Sequence, residues 1–186
     1  MTTQTTPPDA GAVLQFWFDE TTPKQWFAVD AGFDALVTER FGGLLQAAAH
    51  CELADWRDSA RGRLAEIIVL DQFSRNVYRG RAQAFAQDAQ ALVLAQEAVA
   101  ATLDRALPPP ERAFLYLPYM HSESARIHVV AEKLFGDLGL PEVQDYELRH
   151  KLIIDRFGRY PHRNQVLNRP STPEELEFLK TPGSSF

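Results

Sequence analysis

At 186 residues, 45% of them hydrophobic, the chain is long enough to bury one sizeable core and short enough to be one domain. Its formal net charge of −6 argues against general affinity for nucleic acid or an anionic membrane surface, because both need a basic footprint; a local basic cluster can still hold a small anion. The single cysteine, Cys51, excludes an intrachain disulfide and a cysteine-rich zinc site, and it fits a reducing, cytoplasmic setting.

Residues 1–10, MTTQTTPPDA, lack the apolar run of a signal peptide and read as a flexible tail ahead of a single helical domain, residues 11–186. No later apolar stretch reaches the length needed to span a bilayer. Val13, Leu14, Trp17 and Phe18 open the helical periodicity. A stronger helix follows, capped by Asp30, with Phe33, Leu36, Val37, Phe41, Leu44 and Leu45 on its inner face. Gly42 and Gly43 weaken its middle by about 1 kcal/mol each relative to alanine, which predicts the close approach of another helix there. Asp58 or Ser59 caps the next helix, and Gly80 ends it. Asp88 is placed to cap an alanine-rich helix to about Leu103, with Leu92, Val93, Ala95, Gln96 and Val99 as its apolar stripe. After Pro108-Pro109-Pro110, a helix carries Pro118, whose missing amide predicts a kink beside His121, Ser122 and Glu123. Ser124 to Leu138 and Pro141 to Phe157 form two more helices, the second stopped by Gly158 and Pro161. In STPEELEFLK, Thr172 caps, Pro173 takes the first helical position and Glu175 completes a capping box. Turn signals recur at helix length and no segment sustains strand alternation, so the chain reads as all-α.

One pattern occurs twice. IIVLDQFSRNVYRG begins at Ile67 and LIIDRFGRYPHRN at Leu152, so that Asp71, Phe73, Arg75 and Arg79 recur as Asp155, Phe157, Arg159 and Arg163. On a helical wheel Asp71, Arg75 and Arg79 lie one turn apart along a single stripe. Aliphatic residues frame each Asp, and a charge held near a core must be paired or hydrogen-bonded. One reading is therefore a structural ion pair in each copy, or a carboxylate network with Glu66, Glu123 or Glu147. The other is a shared cleft in which Arg75 and Arg159 converge on a small anion, because the planar guanidinium fork suits carboxylate or phosphate. Asn76, His162, Arg163 and Asn164 add donors around such a cleft, with His121 and Glu123 on the wall.

Three separated motifs, LDQFSRNVYRG, FLYLPYMHSES and IDRFGRYPHRNQVLNRPSTPEELEFL, together with VLQFWF near the start, resemble the bacterial family known as domain of unknown function 924. The resemblance implies a tetratricopeptide-like fold, antiparallel helix pairs in a compact superhelix, and it implies no activity. No 34-residue repeat of the usual tetratricopeptide pattern is present, so peptide binding of that kind does not follow.

Among chemistries, His121, Glu123, His128 and Glu132 lie close in sequence, but HExxH spacing and a cysteine ligand are lacking, and no metal is expected. GxGxxG and P-loop patterns are absent as well, so no nucleotide cofactor is expected. Two functional classes remain beside a scaffold with an ion-pair core. One is a protein binding a small anion or an acidic peptide terminus; the other is an enzyme on a phosphorylated or carboxylated substrate, with His121 or His162 as acid or base. Elemental analysis after mild purification should find no stoichiometric transition metal; one zinc per chain would overturn the ligand-spacing argument.

Overall fold

Ser59 accepts a hydrogen bond from the Gly62 amide and starts the helix on which most of the chain packs. The computed structural model describes residues 8–185. Of the expected tail, residues 1–7 lie outside the described residues, and Asp9 already caps the first helix by accepting from the Ala12 amide. That helix, α1 (Ala10–Gln15), runs on into a π-turn at Phe16–Glu20. A single short turn, α2 (Pro23–Phe27), leads to α3 (Ala31–Ala49), where Asp30 accepts from the Gly32 and Phe33 amides as expected. The central helix is built in three parts: α4 (Ala60–Ile68), a π-turn at Val69–Phe73, and α5 (Ser74–Val77). It is followed by α6 (Asp88–Ala100), α7 (Pro109–Met120), α8 (Ala125–Gly136), α9 (Pro141–Phe157) and α10 (Pro173–Phe178). No strand occurs among the described residues, so the fold is all-α. None of these helices is long and apolar enough to cross a membrane.

The run Leu64 to Phe73 is buried on every side, which explains why its sequence is apolar almost all round. It meets α1, α3, α6 and α7. An aromatic cluster joins three of these elements: Phe16 and Phe41 lie 4.9 Å apart between ring centroids, Phe41 and Phe73 4.8 Å, and Trp17 and Phe73 5.6 Å. Such pairs add about 0.5–1.5 kcal/mol each beyond the burial of their area. Consecutive helices α6 to α9 pack on one another across short links, so neighbours run antiparallel.

Several helix ends fall where turn chemistry placed them. Helix α9 stops at Gly158, in the left-handed region at φ +68°, and Thr172 and Glu175 form the expected capping box. Elsewhere the packing differs. Asp88 is the first residue of α6 rather than its cap, and the buried face of that helix is Ala91, Leu94, Ala95 and Ala98, leaving Val93 outside. Helix α7 continues through Pro118 to Met120. Leu36, expected inward, is exposed on α3.

The close approach predicted for Gly42-Gly43 occurs at Gly62 instead. A Cβ at Gly43 would meet nothing within 4 Å, whereas at Gly62 it would fall 1.9 Å from the Trp56 carbonyl oxygen. The chain doubles back so tightly between Trp56 and α4 that only hydrogen fits. Gly62→Ala should therefore destabilise by about 2–3 kcal/mol, and Gly43→Ala should be neutral or stabilise by up to about 1 kcal/mol. Urea unfolding of the two variants checks the pair.

Candidate functional site

Asp71 lies in the π-turn with 1% of its side chain exposed, so its charge must be met by protein groups. Three meet it. Gln72 donates to Oδ2 at 2.5 Å, Arg75 approaches Oδ1 at 3.2 Å, and His121, at the end of α7, places Nδ1 2.7 Å from the same oxygen. Burial pushes the Asp71 carboxyl up, but Arg75, His121 and Gln72 together more than offset this and hold it well below the usual carboxylate range.

The network continues to Asp88, in the first turn of α6, where the helix dipole favours a carboxylate. Arg75 Nη2 lies 3.1 Å from Asp88 Oδ1, and Arg163 Nη1 lies 3.1 Å from Oδ2. Thus two arginines from distant parts of the chain share one carboxylate. The Arg163 guanidinium packs on two rings, 4.5 Å from the Phe85 centroid and 4.7 Å from that of Tyr160. Tyr160 packs on His150 at 5.7 Å, and His150 stands 6.4 Å from His121, both between ring centroids. Asp71, Arg75, Asp88, Arg163, Tyr160, His150 and His121 therefore form a closed circuit of contacts. Its most exposed members are Arg75, Asp88 and His121, whose side chains are 20%, 19% and 14% exposed.

Of the residues expected at the site, Asp71, Arg75, His121 and Arg163 are in the circuit. Glu123 is next to it: it accepts the Tyr160 amide at 2.7 Å and pairs with Arg169 through both oxygens. Asn76 and Arg79 face the other way and hold Asp34 of α3. Asp71 and Arg75 keep their i, i+4 pairing, but α5 ends at Val77, so Arg79 lies beyond the helix and does not continue the stripe. Asp155 faces solvent beside Lys151. Arg159 binds Glu175 and the Pro170 carbonyl, so the expected meeting of Arg75 with Arg159 is replaced by that of Arg75 with Arg163. Asn164 is buried between Ser171, Glu175 and Arg169. His162 lines a separate cleft of about 550 Å³ with Pro161, Gln165, Arg169 and Ser171. Glu66 and Glu147 serve other partners, Arg57 and His128.

Asp88, Phe85, His150, Tyr160 and Gln72 were not singled out by sequence. Asp88 had a signal in its position at a helix start, but that position explains it as a cap as readily as an ion-pair partner. No group of three His, Cys, Asp or Glu among the described residues is arranged to hold a metal ion.

Three imidazoles around the circuit are held neutral. Burial pushes His121 down, with Asp71 opposing it and Arg75 adding to it. Burial pushes His150 down to about 3, although its Nδ1 donates to the Tyr146 carbonyl, and burial and then Arg163 push His162 down to about 4.

The family model described as bacterial protein of unknown function, DUF924, matches residues 13–183. Among solved structures, the protein of unknown function ATU0120 from Agrobacterium tumefaciens is 38% identical, with a TM-score of 0.87 over 92% of this chain and 96% of that one. No curated protein matches the chain.

The depressed imidazoles fix the sign of the pH dependence. An unfolded histidine binds its proton below about pH 6.5, while the folded chain resists protonation. Stability is therefore complete above that value and is lost as pH falls toward the folded value, about 3 for His150. Each such group contributes a slope of about 1.4 kcal/mol per pH unit. His150→Asn, which keeps a donor for Tyr146, should flatten the slope by that amount between about pH 5.5 and 4.5, as measured by denaturant unfolding.

Proposed function

The chain belongs to the bacterial family of unknown function DUF924, whose description assigns no activity, and on that footing we propose from side-chain geometry that it binds a small anionic ligand at Arg163. The observation that carries this reading is the unpaired edge of that guanidinium. Arg163 is 6% exposed, yet its Nε has no acceptor among the described residues, and only Nη1 is engaged, by Asp88. The Nε and Nη2 hydrogens form the side of the fork that matches a carboxylate or phosphate with two parallel bonds. A buried charged donor left unpaired costs about 1–3 kcal/mol, which a bound anion would relieve.

Preorganisation supports the same reading. Phe85 and Tyr160 both pack on the guanidinium, and Asp88 fixes its Nη1 end, so little side-chain entropy remains to be lost on binding. Arg63 and Arg112 also leave Nε without an acceptor, but neither shares a carboxylate with a second arginine. Arg79, Arg159 and Arg169 each meet a carboxylate through two of their nitrogens or both of its oxygens, which fits a structural role. The exposed, unpaired Cys51 fits the cytoplasmic setting that this reading assumes.

At constant ionic strength, acetate should raise the melting temperature of the wild type by mass action, because it binds the folded chain alone. Arg163→Gln and Arg163→Lys should lose that increment, the lysine variant keeping the charge while losing the fork. Arg159→Gln, which breaks the pair with Glu175, should keep it. Sulfate is unsuitable for this comparison, since it strengthens apolar burial in any protein by exclusion from the surface. Equal increments in wild type and both Arg163 variants would return the circuit to a structural ion-pair network.

A further inference from the structure

The charge inventory of the circuit identifies the class of anion, given the binding reading above. Asp71 and Asp88 offset Arg75 and Arg163, and the neighbouring Glu123 is offset by Arg169. With a neutral His121, these groups sum to zero formal charge before any ligand enters. An arriving anion therefore introduces charge that no arginine is free to neutralise fully, and the balance has to come from a group able to gain a proton.

His121 is built for that. Asp71 accepts from its Nδ1, while Gln72 and Arg75 fix the Asp71 carboxylate in turn, so both the ring orientation and the Nδ1–H tautomer are set. Its Nε2 makes no hydrogen bond to a described residue. The charged and titratable groups facing it are Asp71 from the π-turn, Arg75 from α5, Asp88 from α6, His150 from α9 and, at longer range, His162. The two aspartates favour an imidazolium, whereas Arg75 and the other imidazoles oppose it. A third negative charge tips this balance. His150 is a poorer acceptor, because it is buried and its Nδ1 already serves Tyr146.

We propose that the ligand is a monocarboxylate that binds together with one proton, the carboxylate on the Nε–Nη2 edge of Arg163 and the proton, taken from solvent, on Nε2 of His121. Site and ligand then sum to zero again. A dianion would leave one uncompensated negative charge even with the imidazolium formed, so carboxylates are favoured over sulfate or an ionised phosphate monoester. The coupling acts through charge and requires no contact between His121 and the ligand.

The probes are acetate, pyruvate and benzoate, all fully ionised between pH 6 and 8, so any pH dependence of binding belongs to the protein. Affinity measured by calorimetry at constant ionic strength should rise toward low pH, approaching tenfold per pH unit. Titrations at pH 7 in two buffers of different ionisation heat should report uptake of one proton. His121→Asn should bind equally at pH 6 and 8 without proton uptake; if that variant does not fold, the two-buffer result in wild type decides. Sulfate, a dianion throughout, should bind more weakly than the carboxylates. Binding lost in Arg163→Lys but independent of pH, or tighter for sulfate, would overturn the proton coupling and leave anion binding standing. Absence of binding for all three carboxylates would overturn both.

Discussion

A buried carboxylate with nowhere to go sets the terms for the rest of the molecule. Asp71 sits inside the most apolar stretch of the chain, and leaving such a charge unpaired costs about 3–5 kcal/mol. That demand fixes Arg75, Gln72 and His121 around it, and through Arg75 it reaches Asp88 and Arg163. The fold supplies each partner from a different element, so the ends of α7 and α9 and the start of α6 must all arrive at one place. Surface pairs such as Arg149 with Asp145 or Lys180 with Glu177 impose no such demand, because water can replace either partner at little cost.

The same groups that make the circuit neutral also make it responsive. Two guanidiniums remain charged at any accessible pH, and Asp71 is held ionised by its partners, which leaves the imidazoles as the variable members. Burial keeps them uncharged, so they add no positive field that would draw anions unselectively. Arg163 instead offers direction: a flat donor edge held by contact with two rings, in an environment where a hydrogen bond to a charged group is stronger than in water.

Much of the fold was legible in the sequence because it is written in local chemistry. The caps at Asp30, Ser59 and Thr172 and the stop at Gly158 depend on residues within a few positions of each other. The central place of the Leu64 to Phe73 run was legible from its uniform apolarity. What escaped was phase and distance. A wheel drawn through Asp71, Arg75 and Arg79 holds for the first two, which pair at i, i+4, and fails at Arg79 because the helix ends at Val77. The two copies of the motif also share a pattern without sharing an environment. One is enclosed by four helices, whereas the other ends α9 with Leu152 and Asp155 facing water. The partnership of Asp88 with Arg163 spans 75 positions and leaves no periodic trace. Gly62 looks no different from Gly43 until the Trp56 carbonyl is seen against it.

The distribution of apolar contacts has a kinetic side. The main core gathers residues from Val13 to Leu138, while Ile153, Ile154 and Tyr160 form a small cluster of their own with Phe157 and Phe178. Beyond α8, the chain packs on α8 and sets Leu140 and Val143 against the main core, and long-range polar contacts complete the junction, including Arg163 to Asp88, Arg169 to Glu123 and the Tyr160 hydroxyl to the Met120 carbonyl. Links of such long sequence separation close late in folding, since the loop entropy has to be overcome before they form. They also yield first, so the segment beyond α8 is the natural unit of sub-global opening, able to detach while the aromatic core stays intact. The circuit straddles that seam: it is assembled last and taken apart first, and amide exchange in α9 would report its integrity more directly than global unfolding does.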